Sequence, residues 1–379
     1  MGQPCRPLKD VLAEMHDPRG ARGKRHSLVA VLSLVCAATL CGYRTYGAMA
    51  EWGDNYGEEV LRALGFTRAT APCAATLHRV LRHLDRQEVE AVLGAWAEDV
   101  LAATPRPSAA EGEAVALDGK TLRGSRKQGA AGTHLLSALS PRLGLTVAQV
   151  AVDDKTNAIG AVQSVLHHLL LTGRVITVDA LLTQRAVAQT VVEHGGDYVM
   201  VAKDNQLRLR QAIEAILATP PHLAAPLQMA QTVDKGHGRL ERRRLTARAL
   251  LAGDCDWPGA QQVFRIERRR VRLTTGVVQT EITYGLTSVA TAAAAPDRLL
   301  QLLRAHWHIE NKAHWVRDVT FDEDHSQVRC GAIPQVLATV RSTAIGLLRA
   351  NGHPNIAAAC RRNAARPWRA LALLGITRQ

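Results

Sequence analysis

Between residues 114 and 218, short apolar runs alternate with longer amphipathic stretches in an order that leaves few folds open. Runs of strand length at 114–118 (AVALD), 134–139 (HLLSAL) and 145–152 (LTVAQVAV) follow one another directly. Two more, RVITVD (174–179) and DYVMVAK (197–203), are interleaved with helical patterns at about 159–171, 183–194 and 206–218. Three strands in succession, then helix, strand, helix, strand, helix, predict an α/β layer structure rather than a bundle or a sandwich. A chain of 379 residues, 47% of them apolar, can bury more than one such core.

The flanks read differently. Residues 1–104 are expected to form an all-α domain. The run from Leu28 to Cys41, LVAVLSLVCAATLC, falls short of the roughly 20 residues that a membrane helix needs and predicts a buried helix instead. TLHRVLRHL and QEVEAVLGAWAEDVLAAT follow with apolar residues near the 3.6 period. TPRPSAAEGE marks a linker, and residues 113–379 form the second expected domain. Within that domain, about 222–290 reads as an inserted β subdomain, with LERRRLTARAL and QVFRIERRRVRL alternating around GHG and TTG turns. Pro296 and Asp297 then start a long helix that runs through HWHIENKAHW, and about 333–379 is helical and rich in arginine. The strand order of the centre is that of the ribonuclease-H-like fold. The expected fold class is therefore α/β, with a ribonuclease-H-like catalytic core, an inserted β subdomain and an N-terminal all-α domain.

The net charge of +13 is unevenly distributed. Residues 235–272 carry eleven Lys or Arg against four acids, and residues 341–379 carry seven Arg and no acid. Two basic segments on an otherwise neutral chain predict a defined polyanion surface, with double-stranded DNA the expected partner. The seven cysteines include no CxxC pair, which argues against a zinc ribbon or a disulfide framework and fits a reduced, cytoplasmic setting with no membrane partner.

The stretch 306–324, HWHIENKAHWVRDVTFDED, concentrates chemistry-bearing residues. On one continuous helix His306, Glu310, His314 and Asp318 would share a stripe. Trp307 and Trp315 would pack that helix onto the sheet. Two carboxylates upstream end strand-like runs, Asp118 in EAVALDGKTLRGS and Asp179 in GRVITVDALLTQ. A phosphate-loop reading of GKT fails, because the required glycine would fall on Ala114. Asp179 has a competing role as the N-cap of a helix beginning near Leu182 or Thr183. Asp322, Glu323 and Asp324 compete with Glu310 as the third carboxylate, and Glu310 is preferred because a helix fixes geometry better than a loop. Asp118, Asp179 and Glu310 are hard oxygen ligands suited to Mg²⁺ or Mn²⁺ and poor at selecting Zn²⁺. A pair of such ions would support in-line attack on phosphorus. Lys120, Arg123, Lys203, Arg242, Arg243, Arg244, Arg268, Arg269 and Arg270 are candidate phosphate contacts, joined by His306 and His314.

Five motifs in order, VALDGKTLRGS, VITVDALLTQ, DYVMVAKDNQ, KGHGRLERR and HWHIENKAHWVRDVTFDED, resemble those of the DDE transposases of ISAs-type (H-repeat-associated) bacterial insertion sequences. DPRGARGKRHSLVAVLSLVCAATLCGYRTYGAMAEW is similar to the family's transposase-associated region, so the resemblance covers nearly the whole chain. It implies a DDE triad on Asp118, Asp179 and Glu310, with gaps of 61 and 131 positions, the second of which contains the β insertion. It further implies binding of terminal inverted repeats, Mg²⁺-dependent cleavage and strand transfer, a homodimer on DNA, and a nucleoid-associated location. The wider group carries Tyr and Arg seven and four positions before the catalytic Glu and Lys seven after it. Leu303, His306 and Arg317 stand there instead, and Arg317 joins the expected DNA contacts. In DKTNAIGAV, Ala158 replaces a Glu of the family, with Asp153 and Asp154 close by. Two other readings are an inactive, transposase-derived DNA-binding protein and a Mg²⁺-dependent nuclease without strand transfer.

Overall fold

A computed structural model of the 379-residue chain describes residues 6–20, 24–105, 112–126, 132–152, 158–236 and 238–378. Most of the expected linker and both Asp153 and Asp154 lie outside these residues, as does the side chain of Ala158. Six helices come first: α1 (Leu8–Leu12), α2 (Leu28–Leu40), α3 (Tyr46–Asn55), α4 (Gly57–Leu64), α5 (Ala74–His83) and α6 (Arg86–Ala103). Strands β1 (Glu113–Thr121), β2 (His134–Ser140) and β3 (Leu145–Val152) follow. Then come α7 (Ala158–His167), β4 (Arg174–Val178), α8 (Arg185–Glu193), β5 (Asp197–Ala202) and α9 (Leu207–Ala218). Strands β6 (Gln228–Gly236), β7 (Arg239–Ala249), β8 (Gln262–Arg272) and β9 (Val278–Thr287) precede α10 (Pro296–His306), α11 (Trp315–Val319), α12 (Ile333–Ala350), α13 (Ile356–Ala365) and α14 (Pro367–Leu373). None of the described helices is long and apolar enough to cross a membrane.

The chain forms two compact units, the first of residues 1–106, 119–157 and 308–379, the second of residues 107–118 and 158–307. In the first unit α2 is apolar on every side and correspondingly buried on every side, with Ser27 capping it by accepting from the Ala30 N–H. The amphipathic α6 and the almost wholly buried α12 pack on β3, which pairs antiparallel with β2. Gly94 of α6 lets the helix approach this hairpin closely, since a Cβ there would come within 3.0 Å of the Val147 carbonyl oxygen.

The second unit is built on strands in the order β1-β4-β5-β9-β8-β7-β6. β1, β4 and β5 run parallel, and each later neighbour is antiparallel. β4 (RVITV) is buried along its whole length, as expected of a central parallel strand covered on both faces. The hairpin strands alternate instead. One face of β7 and β8 presents Leu245, Ala247 and Phe264 to a core completed by Leu299, Leu300 and Leu302 of α10. On the other face α9 packs against β8 and β9.

The long helix expected from Pro296 onward is interrupted. α10 ends at His306, a π-turn spans Glu310–His314, and α11 resumes at Trp315. Neither Trp307 nor Trp315 is buried on the sheet as expected, the Trp307 ring meeting the Arg268 guanidinium of β8. Trp307 is 46% exposed and Trp315 58% exposed. The stretch carries too many charged and polar residues between the tryptophans to give a straight helix a single apolar seam.

Gly285 marks the tightest point of the second unit. It lies on β9 between Val201 of β5 and Phe264 of β8, and an added Cβ would run into the Phe264 ring and the Met200 carbonyl oxygen. Gly285→Ala is expected to lower stability by about 1–3 kcal/mol through overpacking, seen as a lower urea midpoint at unchanged slope.

Candidate active site

In the register of β1 and β4, Leu117 lies opposite Val178. The next residue on each chain is an aspartate, so Asp118 and Asp179 stand side by side where β4 and its pairing with β1 end, β1 itself running on to Thr121 rather than ending at Asp118 as expected. Ligands bind open α/β sheets at that edge. Both are half-buried, within reach of solvent yet backed by the apolar strands.

The turn after Asp179 is fastened from several sides. The Leu182 N–H donates to Asp179 Oδ1 at 3.1 Å. The Thr183 hydroxyl lies 2.9 Å from the Asp179 carbonyl oxygen and 2.8 Å from that of Val201 on β5. Asn205 Nδ2 donates to the Ala180 carbonyl at 2.6 Å, and Gln206 Nε2 to that of Thr183 at 3.1 Å. Because α8 begins only at Arg185, Asp179 caps a turn rather than the expected helix. Asn205 and Gln206 were not singled out in the sequence, although KDNQ at a strand end is the signal that could have found them. In the same unit His306 Nδ1 lies 3.0 Å from Thr177 Oγ1, two residues before Asp179.

The first unit holds Glu310 on the π-turn, with its carboxylate 68% exposed and Oε2 3.7 Å from Nδ1 of the buried His314. π-turns are rare and recur at functional sites. The residues around Glu310 are held firmly. Lys312 Nζ donates to the Pro141 carbonyl oxygen at 2.7 Å. Asp318 accepts both oxygens' worth of contact from Lys120 Nζ, at 2.7 and 2.6 Å, with Asp324 at 3.5 Å. Burial pushes the Asp318 carboxyl up, and Lys120 pulls it back.

Glu323 is 2% exposed and lies between two buried guanidinium groups, Arg317 at 2.7 Å and Arg341 at 3.0 Å. Burial alone would raise its pKa, but Arg317 and Arg341 more than offset that and hold the carboxyl below its ordinary range. A carboxylate so engaged is unsuited to a metal, which removes Glu323 as a competitor of Glu310. Arg317, an expected DNA contact, is 1% exposed and cannot reach a phosphate. Asp322 has a left-handed backbone (φ 54°) and pairs with His325 at 2.6 Å.

The residues of VALDGKTLRGS divide by role. Gly119 has no room for a Cβ, which would meet the His134 ring at 2.6 Å. Lys120, 8% exposed, is engaged by Asp318, and Leu122 joins a small core with Leu135 and Ala338. The Gly124 carbonyl oxygen accepts from Arg329 Nε at 3.1 Å. Asp118 is half-buried, and Arg123 is exposed, 3.5 Å from Asp324.

The basic hairpins divide in the same way. Arg243 and Arg268 face inward and share Glu241, Arg243 also reaching Asp234. Burial would raise the pKa of Glu241, and these arginines hold it low. The Arg268 guanidinium lies 3.9 Å over the Trp307 ring, a cation–π contact, and Arg304 meets Asp234 at 3.1 Å. Arg270 pairs with Glu281 at 3.2 Å. Arg242, Arg244 and Arg269 point outward and are exposed, Arg242 directly opposite Arg269, and Lys203 is exposed at the end of β5.

The family described as "Transposase DDE domain" matches residues 109–345, and that described as "DDE_Tnp_1-associated" matches residues 9–97. The chain is 27% identical over 354 residues to the "H repeat-associated putative transposase YhhI" of Escherichia coli (strain K12), spanning 90% of each chain. It is 37% identical over 260 residues to an "Uncharacterized protein in dhlA 3'region" of Xanthobacter autotrophicus, 67% of this chain and 85% of that one. A solved piggyBac transposase synaptic complex with hairpin DNA superposes with TM-score 0.45 and 8% identity, over 97% of this chain and 76% of that one.

Glu323→Gln leaves two buried guanidinium groups under-compensated and is expected to cost about 3–5 kcal/mol of stability, read from urea unfolding. The depressed carboxyl makes this contribution present above the unfolded-state value of about 4.5 and lost as pH falls through the folded value. Acidification below about pH 4.5 should therefore destabilise the wild type more steeply than Glu323→Gln.

Proposed function

This chain belongs to the family of transposases built on a DDE domain, and from that premise we propose that it cuts and joins DNA at the ends of a bacterial insertion sequence, with Asp118, Asp179 and Glu310 as its acidic triad. The observation that carries the reading is the β1–β4 register, in which Asp118 and Asp179 each directly follow the last paired residues, Leu117 and Val178. The parallel β1, β4 and β5 and the antiparallel β2–β3 pair support a ribonuclease-H-like core within 113–379, carrying a β insertion at about 222–290 and preceded by a helical region at 1–104.

The donor set suits a divalent cation. Asp118 and Asp179 offer carboxylate oxygens at a solvent-reaching edge, and Glu310 offers an exposed one, with His314 a further candidate ligand. Oxygen donors of this kind favour Mg²⁺ or Mn²⁺. When bound, such ions lower the barrier to attack on phosphorus by neutralising charge on the phosphate and the departing oxygen. The protein's own part is positioning. Leu182, Asn205 and Gln206 hold the Asp179 turn, and Lys312 and the Lys120–Asp318 pair hold the segment that carries Glu310. The overall change is hydrolysis of a phosphodiester at the element end to free a 3′-hydroxyl, followed by attack of that hydroxyl on a target phosphodiester, displacing the target strand's 3′-oxygen as a new 3′-hydroxyl.

Arg242, Arg244, Arg269, Lys203 and Arg123 are exposed cations that can take DNA phosphates. Arg243, Arg268 and Arg270 stand behind them in acid pairs that stiffen the hairpins. Terminal inverted repeats are the proposed specific substrate, with two protomers pairing two ends on DNA in the nucleoid.

The test is incubation of purified protein with DNA flanking its reading frame, Mg²⁺ and an acceptor plasmid, with sequencing of the junctions. Asp118→Asn, Asp179→Asn and Glu310→Gln are each expected to reduce cutting by about a hundredfold or more while leaving binding within a few-fold of wild type. Junction formation by Glu310→Gln at the wild-type rate would remove it from the triad. Chelation of the metal should abolish cutting by the wild type.

A further inference from the structure

A groove of about 640 Å³ lies within the first unit, formed by the loop after α2, the segment 311–320, the end of α12 and the start of α13. We infer that it binds a stretch of unpaired DNA, with phosphates against Arg44, Arg349 and Arg361 and a base against Trp315. The inference rests on the transposase reading and specifies where that enzyme would hold a displaced strand.

The chemistry of the walls is one-signed. Three arginines line the groove and no carboxylate does; two of them, Arg349 and Arg361, belong to the segment from residue 341 onward that carries no acid. Arg44 and Arg361 are exposed, Arg44 also lying 3.4 Å from Asp322 outside the lining. Arg349 is set deeper. Its Nε is shielded from solvent with no hydrogen-bond partner among the described residues, and burial pulls its pKa down to about 10. Gly144, with φ +65°, leaves the space that its guanidinium occupies, since a Cβ there would come within 2.6 Å of Nη1. The N-terminus of the ten-residue α13, capped by Asn355 through the Ala358 N–H at 2.9 Å, opens into the same groove.

Phosphate contacts alone would suit duplex or single strand. Trp315 decides between them. Its side chain is 58% exposed, and the exposed Val319 lines the same groove. A paired base is stacked inside its duplex and offers no face to an aromatic ring, whereas an unpaired base stacks on one. Trp315 also lies five residues after Glu310, so a strand in the groove would stay close to the segment that carries the third acidic residue. A volume of this size falls in the range of about 300–1,000 Å³ typical of sites for organic ligands of nucleotide scale.

The experiment measures anisotropy of a fluorescein-labelled single-stranded oligonucleotide, and of its duplex, over a salt series with the full-length protein. Arg44→Glu and Arg361→Glu should each flatten the single-strand dependence of log K on log salt by about 0.7, and Arg361→Lys should restore it. Trp315→Ala should weaken single-strand binding by about tenfold with the salt slope unchanged. Duplex binding should change far less in each variant. All three side chains are exposed, and thermal unfolding matched to wild type verifies the fold. Wild-type single-strand affinity in these variants, or equal loss on duplex, would overturn the groove assignment while wild-type cutting of DNA still upholds the transposase reading. A wild type that neither binds nor cuts DNA would overturn the transposase reading itself.

Discussion

The parallel pairing of β1 with β4 is the constraint on which the candidate site depends. Parallel neighbours cannot be joined by a tight turn, so the chain must leave the end of β1 and return to the start of β4 by a long crossover. That excursion contains β2, β3 and α7. Its consequence is chemical, because parallel strands end at the same edge. Two aspartates 61 positions apart in sequence thereby become neighbours, each one residue beyond the paired Leu117 and Val178. A one-residue slip would turn one of them to the opposite face of the sheet.

The protein uses charge in two separate ways. Some cations are inward and matched: Lys120 with Asp318, Arg317 and Arg341 with Glu323, Arg243 and Arg268 with Glu241. Such pairs are poor sources of net stability, because desolvation offsets much of the attraction, but breaking one leaves a buried charge uncompensated. They therefore enforce geometry, tying α11 to β1, α11 to α12, and β7 to β8. Other cations, Arg242, Arg244, Arg269 and Lys203 among them, are exposed and available to a polyanion. The net charge of +13 overstates the DNA-facing surface because it counts both kinds.

The same division explains which parts of the site were legible beforehand. Asp118 and Asp179 could be picked out because a strand of β-branched and aliphatic residues ending in an acid has one chemically distinctive position, and the strand pattern survives folding locally. Of the stripe of His306, Glu310, His314 and Asp318, only the Glu310–His314 pair survived. The stripe assumed an unbroken helix, whereas the backbone breaks after His306 and widens into a π-turn, so His306 meets Thr177 while Asp318 meets Lys120. Arg317 and Arg268 looked like DNA contacts for a related reason. Sequence shows a charge but not its partner, and Glu323 is 6 positions from Arg317 while Glu241 is 27 positions from Arg268. Asn205 and Gln206 stood within the quoted motif DYVMVAKDNQ, but the sequence does not show that their amides reach the Ala180 and Thr183 carbonyls of another loop.

What the sequence by itself determined is the set of elements and the family. Apolar periodicity marks β1 to β9 and most helices, since it reflects which side of each element must leave water, and five ordered motifs identify a DDE transposase. What only the tertiary structure decided is which charged groups face a ligand and which face each other. That choice depends on burial and on partners far away in the chain, so Arg242 is exposed and Asp179 half-buried while Glu323 and Arg317 are closed on one another. The reason is physical: the cost of removing a charge from water is set by where the fold places it, and no local pattern of residues records that place.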